Sequence, residues 1–193
     1  MLLADAGEVT AIHLAAFPGF FLSFLGERFL RELYRSIAVD PDGIAFVAQN
    51  GGRIIGFVAG SVSASGFFRR LARRRWWRFA AASLWPFLRR PRIFPRLLRA
   101  LYAPPRPSVE GAALLMSLAV DPAVQRSGAG RLLTRAFVGE AAARGAVSVV
   151  LTTDRDDNDA VNSFYRDFGF TLQRQYVTRE RRAMNEYVFV QRK

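Results

Sequence analysis

Leu114-Leu115-Met116-Ser117-Leu118-Ala119-Val120-Asp121-Pro122-Ala123-Val124-Gln125-Arg126-Ser127-Gly128-Ala129-Gly130-Arg131-Leu132-Leu133 decides how this chain reads. An apolar run long enough for a buried strand meets Asp121-Pro122, which stops the strand and turns the chain. Gly128 and Gly130 then remove side chains where a backbone would have to approach a ligand closely. From Leu132 the pattern is helical, with Leu132, Leu133, Ala136 and Phe137 on one apolar face. A strand that feeds a helix through a glycine turn aims unpaired backbone N–H groups at one point. Such a point suits phosphate, because the free donors and the helix dipole both favour an anion. On the two glycines alone, a tight turn that touches nothing accounts for the pattern equally well.

A second stretch follows 28 residues after Gly130: Asn158-Asp159-Ala160-Val161-Asn162-Ser163-Phe164-Tyr165-Arg166-Asp167-Phe168-Gly169-Phe170. Gln125-Arg126-x-Gly128-x-Gly130 resembles the Q/R-x-x-G-x-G/A pyrophosphate loop of the GNAT superfamily of acetyl-CoA-dependent N-acyltransferases. The later stretch resembles that family's second motif, with Val161 where alanine is commoner. The resemblance implies an α/β (α+β) fold. Its central mixed, mostly antiparallel sheet is flanked by helices, and its parallel fourth and fifth strands splay apart around the pantetheine arm of the coenzyme.

The same resemblance carries roles onto particular residues. The edge groups of Leu118, Ala119 and Val120 would meet the pantetheine amides. Backbone N–H groups from Arg126, Ser127, Gly128, Ala129, Gly130 and Arg131 would hold the pyrophosphate, with the Arg126 and Arg131 side chains adding charge. Asn158 matches a position that contacts the pantetheine or phosphate end. Phe17, Phe20, Phe21 and Leu22 lie in the loop that covers the acceptor pocket, and ordinary core packing explains those apolar residues nearly as well.

Acetyl transfer from a thioester needs a neutral amine, and a free ammonium has a pKa of about 10, so a base or water chain must take its proton. Charge developing on the thioester oxygen needs a donor, such as the backbone N–H of Val120. The departing thiolate needs a proton. Tyr165, seven residues after Asn158 at the family's tyrosine position, is the expected acid. For the base, Glu110 enters the fourth strand but stands several residues from its centre. Asp154 is a second candidate, Asp121 reads as a turn cap, and a water relay needs no carboxylate. The single His13 has apolar neighbours on a helix, which favours packing over base chemistry.

At 193 residues with 51% apolar composition, one domain spanning residues 1–193 with a sizeable core is expected. The absence of cysteine excludes disulfides, thiolate catalysis and Cys-based zinc sites, and no metal is expected. Neither a basic-then-apolar leader nor an uninterrupted apolar run long enough to cross a bilayer is visible, so a cytoplasmic protein is expected.

Charge is concentrated. Twelve arginines and no Asp or Glu lie between Val62 and Val109, while the rest of the chain is formally neutral. This segment, residues 63–109, reads as an insertion between the family's third and fourth strands. Phe67 to Trp85 interleaves arginine with Trp76, Trp77 and Trp85, and prolines at 86, 91 and 95 break the pattern. Arginine with tryptophan suits an anionic membrane surface, here through residues 67–99 at the inner face of the membrane. Nucleic acid, an anionic substrate, and a solvated helical excursion packed on the domain are the other readings, with nucleic acid least favoured.

Local signals complete the expectation. Asp5 and Glu8 have capping-box spacing before a helix running to about Ala16. Ser23 is placed to cap a helix carrying Leu25, Phe29, Leu30, Leu33, Tyr34 and Ile37. Asn50-Gly51-Gly52 joins two strands as a hairpin. The family's first strand is short or absent, since only Met1 to Leu3 precede the first helix. Arg179 to Arg182 reads as a solvated turn. The function expected is an N-acetyltransferase moving acetyl from acetyl-CoA to a primary amine of a small acceptor, an amino sugar among the options. A protein N-terminal or lysine acetyltransferase, and a non-catalytic module binding acetyl-CoA or an anionic surface, are the alternatives. The oligomeric state is open, with a dimer admissible.

Overall fold

The computed structural model describes residues 1–74, 79 and 109–191. Three helices lead: α1 (Ala6–Ala16), the single turn α2 (Phe21–Phe24) and α3 (Glu27–Val39). Strands β1 (Gly43–Asn50) and β2 (Arg53–Ser61) form a hairpin, and α4 (Ala64–Arg74) follows. Then come β3 (Ala112–Val120), α5 (Ala129–Ala143), β4 (Ser148–Asp154), α6 (Asp159–Phe168), β5 (Thr171–Val177) and β6 (Ala183–Val190). The six strands form one sheet in the order β1-β2-β3-β4-β6-β5, in which only the β3–β4 pair is parallel. This is the expected open, mixed, mostly antiparallel sheet. Among the described residues no strand precedes α1, and the parallel pair expected as the family's fourth and fifth strands is β3 and β4 here.

Two apolar clusters cover the two faces. On one, α1 and α3 bury Val9, Phe29, Leu30, Tyr34 and Ile37 against Ile54 and Phe57 of β2. On the other, Leu133, Phe137 and Ala141 of α5 meet Val58, Leu115, Val149 and Leu151, with Tyr165 and Phe170 beside them. The interior strand β2 is therefore buried along nearly all its length. Gly60 is required there. A Cβ at that position would stand 2.1 Å from the Leu114 carbonyl oxygen and 2.7 Å from the Phe137 ring.

Several local expectations are corrected. Asp5 makes no side-chain cap to α1. Its carboxylate accepts the Leu2 N–H at 2.6 Å, and Glu8 accepts from Ile54 N at 3.4 Å, so the capping box is replaced by one local bond in the turn before α1 and one tertiary bond to β2. Ser23 does not open α3. Its hydroxyl donates to the Phe17 carbonyl at 2.7 Å, and Gly26, at φ 85°, takes the N-cap position. Gly145 ends α5 as expected: its N–H meets the Ala142 carbonyl and that of Ala146 the Ala141 carbonyl, closing the last turn.

The start of the arginine-rich insertion packs on the domain. Phe67, Leu71 and Phe79 are buried in the first cluster, with Phe79 5.0 Å from Phe29 between ring centroids. The Arg70 guanidinium grips Asp40 and Asp42, each at 2.5 Å, so this arginine is spent inside the protein. Residues 75–78 and 80–108, with the three tryptophans and most of the candidate membrane surface, lie outside the described residues. Among the described residues no helix is long and apolar enough to cross a membrane.

Candidate active site

The site arises where β3 and β4 part. They pair only at Ala112–Ser148, Ala113–Val149 and Leu114–Val150, although β3 continues to Val120 and β4 to Asp154. Beyond that point each strand follows its other neighbour. β4 stays registered on β6 as far as Asp154–Met184, whereas β3 stays on β2 to Val120–Gly56. The β2–β3 register slips between Ala59–Ser117 and Gly60–Leu115, leaving Met116 as the extra residue. A bulge bends its strand and adds twist, and this one falls where pairing with β4 has just ended. The β3 backbone facing the gap has no strand to bond.

The gap opens into a cleft of about 300 Å³. Leu115–Leu118 of β3 and Leu151–Asp154 of β4 form its sides. His13, Phe17, Phe20 and Leu22 close one wall, and Asn158 at the N-cap of α6 with Val161 and Tyr165 of that helix another, with Arg182 and Met184 at the β5–β6 end. Of the expected substrate-contacting residues, Phe17, Phe20 and Leu22 line the cleft; the side chain of Phe21 lies outside the described part. Leu118 lines it too. Ala119 and Val120 do not, and carry the strand onward to the glycine turn.

That turn is built from backbone. Gly128, at φ 82°, is the N-cap of α5, and Arg126 also has positive φ, 63°. The first intrahelical N–H to find a partner is that of Leu132, which donates to Gly128 at 3.1 Å. The N–H groups of Ala129, Gly130 and Arg131 precede it and have no carbonyl one turn back. Arg126, Ser127, Gly128 and Arg131 are exposed. The Arg131 guanidinium lies over the Phe168 ring at 5.6 Å, which parks its charge beside the turn.

Tyr165 is 6% exposed, with its ring set edge-on to Phe164 and Phe170. Burial pushes its phenol further above the ordinary tyrosine range, so it holds its proton at neutral pH. Asn158 donates to Thr153 Oγ1 at 2.8 Å and to the Asp154 carbonyl at 3.0 Å, which ties the turn after β4 to that strand. Glu110 is not brought to the site. It is exposed in the turn before β3, at the far end of the strand from the cleft. Asp154 does line the cleft, yet Arg182 spans both its carboxylate oxygens at 2.7 and 2.6 Å. Asp121 caps the turn as expected, accepting from Ala123 N at 3.0 Å, and also pairs with Arg53 at 2.7 Å.

Three features escaped sequence reasoning. Arg182 is no solvated turn residue: besides holding Asp154, its guanidinium stacks over Phe20 at 5.1 Å. Asn162 is a buried hub. Its Oδ1 accepts from Asn185 at 2.8 Å and Tyr187 at 3.0 Å, while its Nδ2 donates to the carbonyls of Asn158, Asp154 and Arg155. His13 packs, as expected, but also forms part of the cleft wall. Only Asn162 left a trace in the sequence, as a polar residue inside an otherwise apolar stripe. Among the described residues no group of side chains could hold a metal ion.

Comparison with known proteins agrees with this architecture. The acetyltransferase (GNAT) family model matches residues 8–170, and the chain belongs to that family. The ribosomal-protein-alanine N-acetyltransferase of Brucella melitensis shares the fold at TM-score 0.66 and 13% identity, over 99% of this chain and 97% of that one. Ard1 from Thermoplasma volcanium does so at TM-score 0.61 and 16% identity, over 98% and 93%. A PaiA N-acetyltransferase from Thermoplasma acidophilum, solved with coenzyme A, does so at 0.57 and 12%, over 96% and 94%. At such identities the likeness is one of fold. No curated protein matches the chain.

Proposed function

We propose that this protein is an N-acetyltransferase that moves acetyl from acetyl-CoA to the primary amine of a small acceptor. The observation that carries the reading is the parting of β3 and β4 between an anion-ready helix N-terminus and a buried, protonated tyrosine. The chain fits the coenzyme on its own features. The left-handed turn at Gly128 exposes backbone N–H groups suited to a diphosphate, and the unpaired β3 edge from Leu115 to Val120 suits a chain of amides. When bound, acetyl-CoA supplies the activated acyl group as a thioester.

The residues of the chain then divide the work. Leu118, Ala119 and Val120 present edge groups to the pantetheine, and a β3 backbone N–H steadies charge on the acyl oxygen. Tyr165 gives the departing sulfur its proton, a role that requires the phenol to be neutral beforehand, as burial makes it. Glu110 is too remote to take the amine proton and Asp154 is occupied by Arg182, so water in the cleft carries it. An amino sugar belongs in the panel of acceptors.

The test follows CoA thiol release across a panel of amines, with wild type and Tyr165→Phe. Turnover in the variant should fall about 100-fold, the scale of a lost general acid, with acetyl-CoA affinity unchanged. Full activity in Tyr165→Phe would remove its role. No thiol release with any amine would remove the enzymatic reading and leave a coenzyme-binding module.

A further inference from the structure

The cleft carries its formal charge in one place. Among the described lining residues Asp154 and Arg182 are the charged ones, since burial lowers the His13 pKa to about 4 and leaves that ring neutral at neutral pH. Arg182 donates to Asp154 from Nε at 3.0 Å and from Nη2 at 2.7 and 2.6 Å, leaving Nη1 out of the pairing. Oδ1 accepts two of these bonds and Oδ2 one. A carboxylate has about four lone-pair sites, so Oδ2 keeps room for another donor. Both side chains are open to a ligand, with Arg182 35% and Asp154 25% exposed. The guanidinium lies over the Phe20 ring at 5.1 Å, and Phe20 is itself 40% exposed. Stacking of this kind covers a face of the guanidinium and leaves its edge to bind in plane.

The backbone is held together here without this pair. β4 and β6 stay in register to Asp154–Met184, and just beyond it the Arg155 N–H donates to the Ala183 carbonyl at 2.9 Å. The Asp154 carbonyl accepts from Asn158 at 3.0 Å and Asn162 at 3.1 Å. The Arg182 N–H donates to Thr178 Oγ1 at 3.2 Å, and its carbonyl accepts from Thr178 N at 2.9 Å. Each side chain thus leaves a backbone fixed by other bonds, and a partly exposed ion pair adds little to stability. What the pair changes is the kind of ligand the cleft attracts. An ammonium alone meets Asp154 and, at nearly the same distance, the opposing charge of Arg182, so the two nearly cancel. A ligand with ammonium and carboxylate side by side sets each against its opposite, and the guanidinium edge receives the carboxylate through charge-assisted hydrogen bonds.

We propose that the Asp154–Arg182 pair selects the acceptor: Arg182 takes a carboxylate through Nη1 and Asp154 takes the neighbouring ammonium through Oδ2, with an apolar side chain along Phe20. The preferred acceptor class is then a free α-amino acid rather than an amine that carries positive charge alone. Asp154 holds the ammonium as a counter-charge, and water in the cleft takes its proton. The proposal rests on the cleft being the acetyl-transfer site.

Phenylalanine and phenethylamine differ only in the carboxylate, and CoA thiol release reads both. Wild type should favour phenylalanine in kcat/KM by about tenfold or more, the scale of one hydrogen bond between charged groups. The two halves of the pair should then move that ratio in opposite directions. Arg182→Gln removes the carboxylate's partner and leaves Asp154 uncompensated, so the ratio should fall to one or below. Asp154→Asn frees the Arg182 charge for the ligand, so the ratio should rise above the wild-type value. A pair that serves structure alone is broken equally by both substitutions and moves the ratio the same way, or not at all, in both. Calorimetric titration with CoA checks that each variant is folded. A wild-type ratio near one or below, or shifts of the same sign in the two variants, overturns the proposal, and the wild-type ratio decides alone if the variants do not fold. Glucosamine turned over faster than phenylalanine by wild type overturns it as well. A wild type that acetylates neither these amines nor any in the wider panel instead removes the transfer reading on which the proposal stands.

Discussion

The two ends of the cleft are made of different material. At the α5 end the working groups are backbone N–H donors in one continuous turn, Arg126 to Arg131, and most of it is exposed. At the α1 end they are side chains drawn from α1, the segment after it, β3, β4 and the β5–β6 turn, and held by buried contacts. A backbone site depends on a few φ values and tolerates many side chains. A side-chain wall depends on every element that positions it. A coenzyme common to a whole family suits the first arrangement, and an acceptor particular to one member suits the second.

The sharpest way to strain the wall end is at its hub. Asn162→Leu strands Asn185, Tyr187 and the carbonyls of the turn after β4, and should lower unfolding free energy by about 4 kcal/mol. Urea denaturation measures this; a loss below about 1 kcal/mol would mean the hub is dispensable.

Acid strains the same end next most. His13 has its folded pKa lowered from 6.5 to about 4, so the unfolded chain binds more protons between those values. Stability is unaffected above pH 6.5 and falls as pH drops toward 4, by about 3 kcal/mol in total. The urea midpoint of wild type should track that fall, and His13→Gln should flatten it.

At the backbone end, Gly128→Val sets a β-branched residue at φ 82°, with strain of about 1–3 kcal/mol that reshapes the turn. CoA affinity should drop about tenfold or more while the acceptor wall is untouched. Arg182→Gln is the mildest change. The pair with Asp154 is partly exposed, 35% and 25%, so stability should fall by no more than about 1 kcal/mol. Its larger mark should be a raised KM for the acceptor at constant CoA affinity. A change in CoA affinity instead would show that the two ends are not separate.

That division also explains what could be read in the sequence. The strand, proline turn, glycines and helix from Leu114 to Leu133 announce the coenzyme end because a turn is local and its φ requirements name glycine. The mixed, mostly antiparallel sheet followed from the resemblance those motifs carry, and the buried face of α3 from apolar periodicity. Arg182 and Asp154, by contrast, meet across 28 positions of chain, and no local pattern says that a charged turn will fold back onto a strand end. The capping box at Asp5 failed for a related reason in part: Glu8 took a tertiary donor, Ile54 N, 46 positions away, while Asp5 turned back to the N–H of Leu2 beside it. Glu110 was a misreading of reach, since β3 parts from β4 only after Leu114 and the cleft begins beyond that point.

Calorimetric titration of the purified protein with CoA, and then with acetyl-CoA in competition, bears most directly on the parting of β3 and β4 as a coenzyme site. Saturable binding of both ligands at one shared site is the predicted result. Absence of heat with both, under conditions where the protein is shown to be folded, would contradict it.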